Sequence, residues 1–180
     1  MFVFQILKCK ITKATMKSRV IKAFVFPLMI AVSMLSSCGM KTAYYQKQVP
    51  VPSAAWAAKF MPEFKLEIKD TTANHYCFLL FRHDEAYPNS NLWLRLKIKG
   101  PGEKTFKDGP KLEVPLADAS GVWQGKGMGG IWEHKIFMDP KAMPQFKQPG
   151  IYEIRIEQLM RMDPLPSVLN VGLMVEEIKK

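Results

Sequence analysis

Residues 92–98 read Leu-Trp-Leu-Arg-Leu-Lys-Ile, and this stretch decides the fold class. Its aliphatic residues alternate one for one with Trp93, Arg95 and Lys97. Because successive side chains of a β-strand point to opposite faces, the pattern predicts a strand with one buried face and one face in water. From residue 60 onward the apolar residues follow this period of two rather than the 3.6 of a helix.

The same period recurs in three further segments, whose alternate apolar residues are expected to face one core. These residues are Phe64, Leu66 and Ile68; Tyr152, Ile154 and Ile156; and Val171, Leu173 and Val175. The continuous apolar run Tyr76–Phe81 predicts a central strand covered on both faces. Val122-Trp123 and Ile131–Phe137 are additional strand candidates.

Glycine- and proline-containing turns separate the predicted strands, and one of them is expected at Lys107–Pro110. About eight short strands at this spacing predict an all-β fold, an antiparallel β-sandwich of the jelly-roll or immunoglobulin-like type. One short helical turn is expected at Asp139–Phe146, because Pro140 can occupy the first helical position.

The N-terminal residues have the pattern of a lipoprotein signal peptide. Lys17, Arg19 and Lys22 form a basic region, and the 13-residue apolar run Ala23–Leu35 that follows is too short for a spanning helix. The run ends in a lipobox, Leu-Ser-Ser-Cys, whose Cys38 is expected to be acylated after cleavage. Two or more acyl chains make a stable anchor, at roughly 0.8 kcal/mol per buried methylene. The alternative is an ordinary secretory signal that ends at a cysteine.

These features divide the chain into three parts. Residues 1–37 are the signal peptide, for which Met16 is a second candidate start. Residues 38–58 are predicted to be a lipidated tether and edge segment, and residues 59–180 a single β-sandwich domain. The 143 residues from Cys38 to the end suffice for one domain with a sizeable core.

Charge and cysteine content argue against a nucleic-acid-binding protein and against a protein stabilised by disulfides. The whole chain has 26 Lys and Arg residues against 16 Asp and Glu, a net charge of +10. Six basic residues precede Cys38 whereas every acidic residue follows it, so the mature chain carries only +4. A nucleic-acid partner is not expected at this charge. Once Cys38 is acylated only Cys77 remains, so no intramolecular disulfide is expected, and Cys77 is predicted to be a small buried hydrophobe.

No catalytic residue, cofactor or metal is predicted. Gly125–Gly130 resembles a phosphate loop, but Lys126 is not followed by Ser or Thr, and a strand rather than a helix comes next; a tight bend is expected instead. His83-Asp84-Glu85 is expected in a solvated loop, without the ligands that calcium needs. The histidines share no short spacing with one another: His75, His83 and His134.

Aromatic residues are the better indication of a site. Trp93, Trp123 and Trp132 are candidate contacts to a partner protein or a glycan. Trp93 lies on the polar-alternating face of its strand, where an exposed ring could stack on a sugar or anchor a protein. Burial of Trp93 under the second sheet or a loop is the favoured alternative.

The ordered set of short motifs resembles the gliding-motility lipoprotein GldH family of Bacteroidota across residues 62–175. The motifs are Asp70-Thr71-Thr72, the apolar strand at 76–81, Tyr87–Leu92, Pro115–Asp118, Gly121–Gly127, Gly129, Pro149–Tyr152, Gln158–Arg161 and Val171–Leu173. The resemblance implies a non-enzymatic outer-membrane lipoprotein needed for gliding, in a machinery linked to type IX protein secretion. It carries over one residue, the acylated Cys38.

The resemblance also bears on location and partners. Gly39-Met40-Lys41 lacks the acidic residues that many surface-directed Bacteroidota lipoproteins carry after the lipid, which favours the periplasmic face of the outer membrane. The expected partners are envelope proteins of the gliding or type IX secretion apparatus, besides the membrane itself. The alternative function is a lipid-anchored glycan-binding β-sandwich module.

Overall fold

The computed structural model describes residues 44–178, apart from 142 and 144. Apart from a short 3-10 turn at Pro52–Ala54, all regular structure in these residues is β, which confirms the predicted all-β class. The strands are β1 Tyr45–Pro50, β2 Ala55–Trp56, β3 Glu63–Ile68, β4 Asn74–Asp84, β5 Asn91–Lys99, β6 Lys107–Pro115, β7 Lys126–Met128, β8 Ile131–Phe137, β9 Gly150–Gln158, β10 Leu165–Pro166 and β11 Val168–Ile178.

The strands form two main sheets, and every pairing is antiparallel. One sheet has five strands in the order β1-β11-β4-β8-β7, and the other has four in the order β3-β9-β5-β6. The short strands β2 and β10 pair separately. Buried side chains from both sheets form one hydrophobic cluster, so the domain is the predicted antiparallel β-sandwich.

The alternating stretch that decides the fold class lies in β5, between β6 and β9. Leu92, Leu94 and Leu96 are at most 1% exposed and face the core, as predicted. The intervening side chains stand on the outer face of the four-stranded sheet. Burial of one apolar face of this kind fixes the register, because a slip by one residue would expose all three leucines.

The predicted central strand is also confirmed, since β4 pairs with β11 on one side and with β8 on the other. Cys77, Leu79 and Phe81 point into the core at 2% exposure or less. On the opposite face of β4 Leu80 is 4% exposed, but Tyr76 and Phe78 are only half-buried, so the predicted cover on both faces is confirmed only in part.

Three local predictions are wrong. Lys107–Pro110 is part of β6 rather than a turn, and Gly109-Pro110 form an irregularity opposite the register shift at Arg95/Lys97. Val122-Trp123 forms only an isolated bridge, from Trp123 to Ala117. The described residues of Asp139–Phe146 adopt turns and bends without a helix.

The N-terminal described residues are integrated in the sandwich. Strand β1 forms one edge of the five-stranded sheet, and the Tyr44 hydroxyl donates to the Glu67 carbonyl oxygen at 2.8 Å. Trp56 is fully buried and donates from Nε1 to the Phe60 carbonyl oxygen at 2.8 Å. The packed domain therefore includes the chain from Tyr44 onward. The predicted signal peptide, residues 1–37, and Cys38 lie outside the described residues.

Candidate functional site

Trp93 is exposed on the outer face of the four-stranded sheet, with 38% of its surface accessible. The prediction that a second sheet or a loop buries it is wrong. The second sheet packs on the opposite face of β5, against Leu92 and Leu94, so alternation turns Trp93 outward. Trp93 is therefore free to contact a ligand.

An open groove of about 580 Å³ lies beside Trp93, within the size range of ligand pockets. Strand β9 ends at Gln158, and the chain that follows it passes next to Trp93: Leu159 donates its N–H to the Trp93 carbonyl oxygen at 2.8 Å. Besides Trp93, the groove is lined by Asn89, Lys111, Leu159, Met160, Arg161 and Met162.

Hydrogen bonding at the groove is incomplete on one side of β5. The Trp93 N–H donates to the Met160 thioether sulfur at 3.1 Å. Sulfur is a weak acceptor, so this backbone donor lies where strand pairing has ended and no oxygen accepts from it. Sequence periodicity predicts that Trp93 faces outward. It does not indicate that the Trp93 N–H lacks an oxygen acceptor, because this depends on the path of the chain after β9.

The other two candidate tryptophans do not join Trp93. The Trp123 ring lies 4.5 Å from the His83 ring, between centroids, and is half-buried. Trp132 is the cross-strand neighbour of His83 and packs over Gly127, where an added Cβ would lie 2.7 Å from its ring. Both stand on the core side of the five-stranded sheet, so the three tryptophans form no common platform.

Trp132 and Gly127 belong to the hairpin formed by β7 and β8, which contains the glycine-rich segment. Gly129 and Gly130 connect the two strands with φ of 58° and 77°, values that favour glycine. The predicted tight bend is confirmed, and the segment is not followed by a helix that could bind phosphate.

His83 and His134, on the neighbouring strands β4 and β8, form a buried pair. Their Nε2 atoms are 3.0 Å apart, and the residues are 0% and 3% exposed. The His83 Nδ1–H donates to the Asp84 carbonyl oxygen at 2.7 Å, so His83 Nε2 accepts the hydrogen bond from His134 Nε2–H. The predicted solvated loop is wrong for His83, because β4 continues to Asp84. The inward alternation from Cys77 through Phe81, extended by one step, is the signal that was missed.

Both imidazoles are neutral at pH 7. Burial lowers the pKa of His134 to about 4, and the adjacent His83 lowers it further in the same direction. Burial also lowers the pKa of His83, against the opposing effect of the Asp84 carbonyl. A neutral, hydrogen-bonded and enclosed pair is suited to holding β4 and β8 together rather than to exchanging protons with a substrate.

The remaining candidate groups are inert in the part of the chain that the structure describes. Cys77 is 2% exposed, and burial raises its pKa to about 12, so it is a protonated thiol packed in the core, as predicted. Among residues 44–141, 143 and 145–178, no three or more His, Cys, Asp or Glu side chains gather closely enough to hold a metal ion. These residues also include no helix long and apolar enough to cross a membrane.

A β-sandwich with an exposed aromatic groove and buried, neutral polar groups is typical of a binding or interaction domain. Residues 43–175 match the model of the GldH lipoprotein family, and the chain belongs to that family. It is 28% identical over 160 residues to the gliding motility lipoprotein GldH homolog of Christiangramia forsetii, covering 85% of this chain and 94% of that one. It is 29% identical over 158 residues to the gliding motility lipoprotein GldH of Flavobacterium johnsoniae, covering 83% and 94%.

Solved structures show more distant likenesses. A carbohydrate-binding module of family CBM28, specific for non-crystalline cellulose, aligns with a TM-score of 0.39 and 9% identity over 74% of this chain and 72% of the module. A family 35 carbohydrate-binding module from Clostridium thermocellum aligns with a TM-score of 0.29 and 14% identity over 71% and 97%. Likenesses of this degree do not bear on ligands.

Proposed function

We propose that this chain is an outer-membrane lipoprotein, acylated on Cys38, that acts as a non-enzymatic accessory or scaffold component of the gliding motility and type IX secretion machinery. The observation that carries the proposal is the family match over residues 43–175, which spans nearly the whole described sandwich. The two relatives bear the name of gliding motility lipoproteins, and each is matched over 94% of its length.

The chemistry of the described residues supports a scaffold rather than an enzyme. The buried His83–His134 pair is neutral and enclosed, and the Cys77 thiol is protonated. The groove beside Trp93 has apolar and cationic walls, and its lining includes no pair of carboxylates for general acid–base catalysis. Such a groove suits binding.

The alternative of a glycan-binding module is less favoured. A face that binds an extended glycan by stacking would present several exposed rings on one surface, because each stacked sugar occupies one aromatic face. Trp93 points outward from the four-stranded sheet, whereas Trp123 and Trp132 stand on the core side of the other sheet. A single exposed tryptophan fits a protein anchor as well as it fits one sugar ring.

The test is a pull-down of the tagged full chain from crosslinked envelopes, read by mass spectrometry. A second outer-membrane lipoprotein with the same tag is the control for proteins captured through the membrane alone. We expect components of the gliding or type IX secretion apparatus to be enriched over that control. A gene deletion should in addition impair colony spreading or change the set of secreted proteins, and the wild-type gene should restore both.

Two outcomes would contradict the proposal. One is a deletion strain that spreads and secretes as the parent does. The other is a preparation that contains bound glycan and no enriched protein. For the periplasmic face, added protease should leave the chain intact in whole cells and degrade it once the outer membrane is opened.

A further inference from the structure

The outer face of the four-stranded sheet is covered by ion pairs, and this sets the groove beside Trp93 apart. Asp108 accepts from Arg95 at 2.6 Å and from Lys97 at 2.8 Å, and Lys99 lies 2.7 Å from Glu153. Arg155 pairs with Glu63 at 2.8 Å. Charges that satisfy one another in this way make a well-solvated surface with little affinity for a charged partner.

The two cations of the groove have no such partners. Lys111 and Arg161 are both exposed, and neither forms an ion pair with any residue that the structure describes. Glu113, the cross-strand neighbour of Trp93, is not part of the groove lining, and it accepts a hydrogen bond from the Asn91 amide at 2.6 Å. The groove therefore has a positive lining that fits an anionic ligand.

The rest of the lining is apolar and flexible. Leu159, Met160 and Met162 line the groove together with the exposed Trp93. Unbranched methionine side chains adapt to apolar groups of varied shape, and a tryptophan beside them is the residue most enriched at protein-binding hot spots. A sugar site would instead present hydroxyl-binding polar groups, of which this lining has only the Asn89 amide beside its two cations.

The backbone supplies one more group. The Trp93 N–H donates only to the Met160 sulfur, at 3.1 Å. A carbonyl or carboxylate oxygen is a stronger acceptor than a thioether, so a bound peptide could take over this donor as Met160 moves aside.

We propose that the groove formed by Trp93, Lys111, Met160 and Arg161 docks an acidic segment of a partner protein, with one apolar side chain of that segment packed on Trp93. This inference rests on the proposed function, since it specifies how a scaffold lipoprotein holds an envelope protein. Lys111 and Arg161 contact the acidic residues, and the methionines adapt to the apolar one.

The test is a selection of random 12-residue peptides, displayed on phage, on the full acylated chain in nanodiscs, after removal of clones that bind empty nanodiscs. We expect recovered peptides to be rich in Asp and Glu around a shared apolar residue. Trp93→Ala and the double variant Lys111→Glu/Arg161→Glu should each weaken their binding at least ten-fold. Added NaCl should weaken it as well, because the contacts are partly ionic.

Matched controls separate the groove from general surface effects. Phe137→Ala removes another exposed ring, on β8, and Lys104→Glu/Lys126→Glu reverses two other exposed cations; neither should change binding by more than two-fold. Recovery of no peptide, recovery of peptides without acidic enrichment, or binding that survives Trp93→Ala would each overturn the proposal. So would Trp93-dependent binding of polygalacturonate oligosaccharides when no peptide is recovered. Because the selection uses no cells, its failure would leave the deletion-strain result on motility and secretion intact.

Discussion

At the scale of single residues, the His83–His134 pair makes the stability of the sandwich depend on pH. Unfolding returns the pKa of His134 from about 4 to its ordinary value of 6.5. Below pH 6.5 the unfolded chain therefore binds more protons than the folded one, so the free energy of unfolding falls as the pH falls. For His134 alone we expect a loss of about 2 kcal/mol between pH 7.5 and pH 5, measured by urea unfolding.

A variant isolates this effect. His134→Gln retains an N–H donor for His83 and removes one titrating imidazole, so its stability should fall less over the same pH range. Carboxyl groups with a lowered pKa, such as those of Asp108 and Glu153, lose their contribution only at lower pH, below about their ordinary values. A wild-type free energy of unfolding that stays constant from pH 7.5 to pH 5 would refute the prediction.

A second prediction at this scale concerns Gly125, which precedes β7. An added Cβ there would lie 2.8 Å from the Glu133 carbonyl oxygen and 2.9 Å from His134 Nε2. Gly125→Ala should therefore destabilise the domain by about 1–3 kcal/mol, because backbone and a buried ring must both shift. The matched control is Gly100→Ala, whose Cβ would lie 3.5 Å from the flexible Glu103 side chain and should change stability by less than about 0.5 kcal/mol. Equal urea midpoints for the two variants would contradict the close approach.

For single residues, the pattern of the surrounding sequence predicts burial better than the residue type does. Cys77 is predicted to lie in the core because it belongs to the apolar run Tyr76–Phe81, and it is 2% exposed. His83 has the same inward phase as Cys77, Leu79 and Phe81, but its position just before the turn that begins at Tyr87 favours a solvated loop. Its buried state depends on His134, which is 51 residues away and becomes its partner only when β4 and β8 pair. No local pattern contains that information.

At the scale of elements, Gly172 on β11 allows the edge strand β1 to pack closely, because glycine has no Cβ. An added Cβ would lie 2.7 Å from both the Lys47 carbonyl oxygen and Gln48 Cγ. Because the first of these atoms is backbone, Gly172→Ala should displace β1 and lower the free energy of unfolding by about 1–3 kcal/mol. Hydrogen exchange should accelerate in Tyr45–Pro50, whereas the amides of β4, on the other side of β11, should stay protected. Uniform acceleration in both strands would indicate global destabilisation instead.

Elements with a clear period were predictable and those defined by turns were not. The strands β3, β5, β9 and β11 follow from apolar alternation, and their inward residues are the buried ones. Gly109-Pro110 has the composition of a turn, yet it is part of β6. Because β6 is an edge strand, the N–H that proline lacks is not needed for a hydrogen bond to a further strand. The groove beside Trp93 could not be predicted from the sequence either, because it forms only where β5 and the chain after β9 lie side by side.

At the scale of the whole molecule, the anchor and the sandwich are expected to work as one unit. Cys38 precedes the first residue of β1 by seven positions, a length of chain that spans at most about 25 Å when fully extended. Acylation of Cys38 would therefore confine the Trp93 groove and the sheet edges to a thin layer next to the membrane. Confinement of this kind raises the effective concentration of the domain for membrane-bound partners and lets modest contacts suffice.

The last prediction tests that dependence. Cys38→Ala should abolish labelling with palmitate, because the acceptor sulfur is gone, and should fail to restore motility or secretion in a deletion strain. Cys77→Ala is the matched control: it removes a buried thiol, so the variant should still be labelled and should restore function, with a modest loss of stability from the cavity. Palmitate incorporated into Cys38→Ala would refute the assignment of the anchor. Full rescue by an unlabelled Cys38→Ala chain would show that the sandwich acts without being held at the membrane.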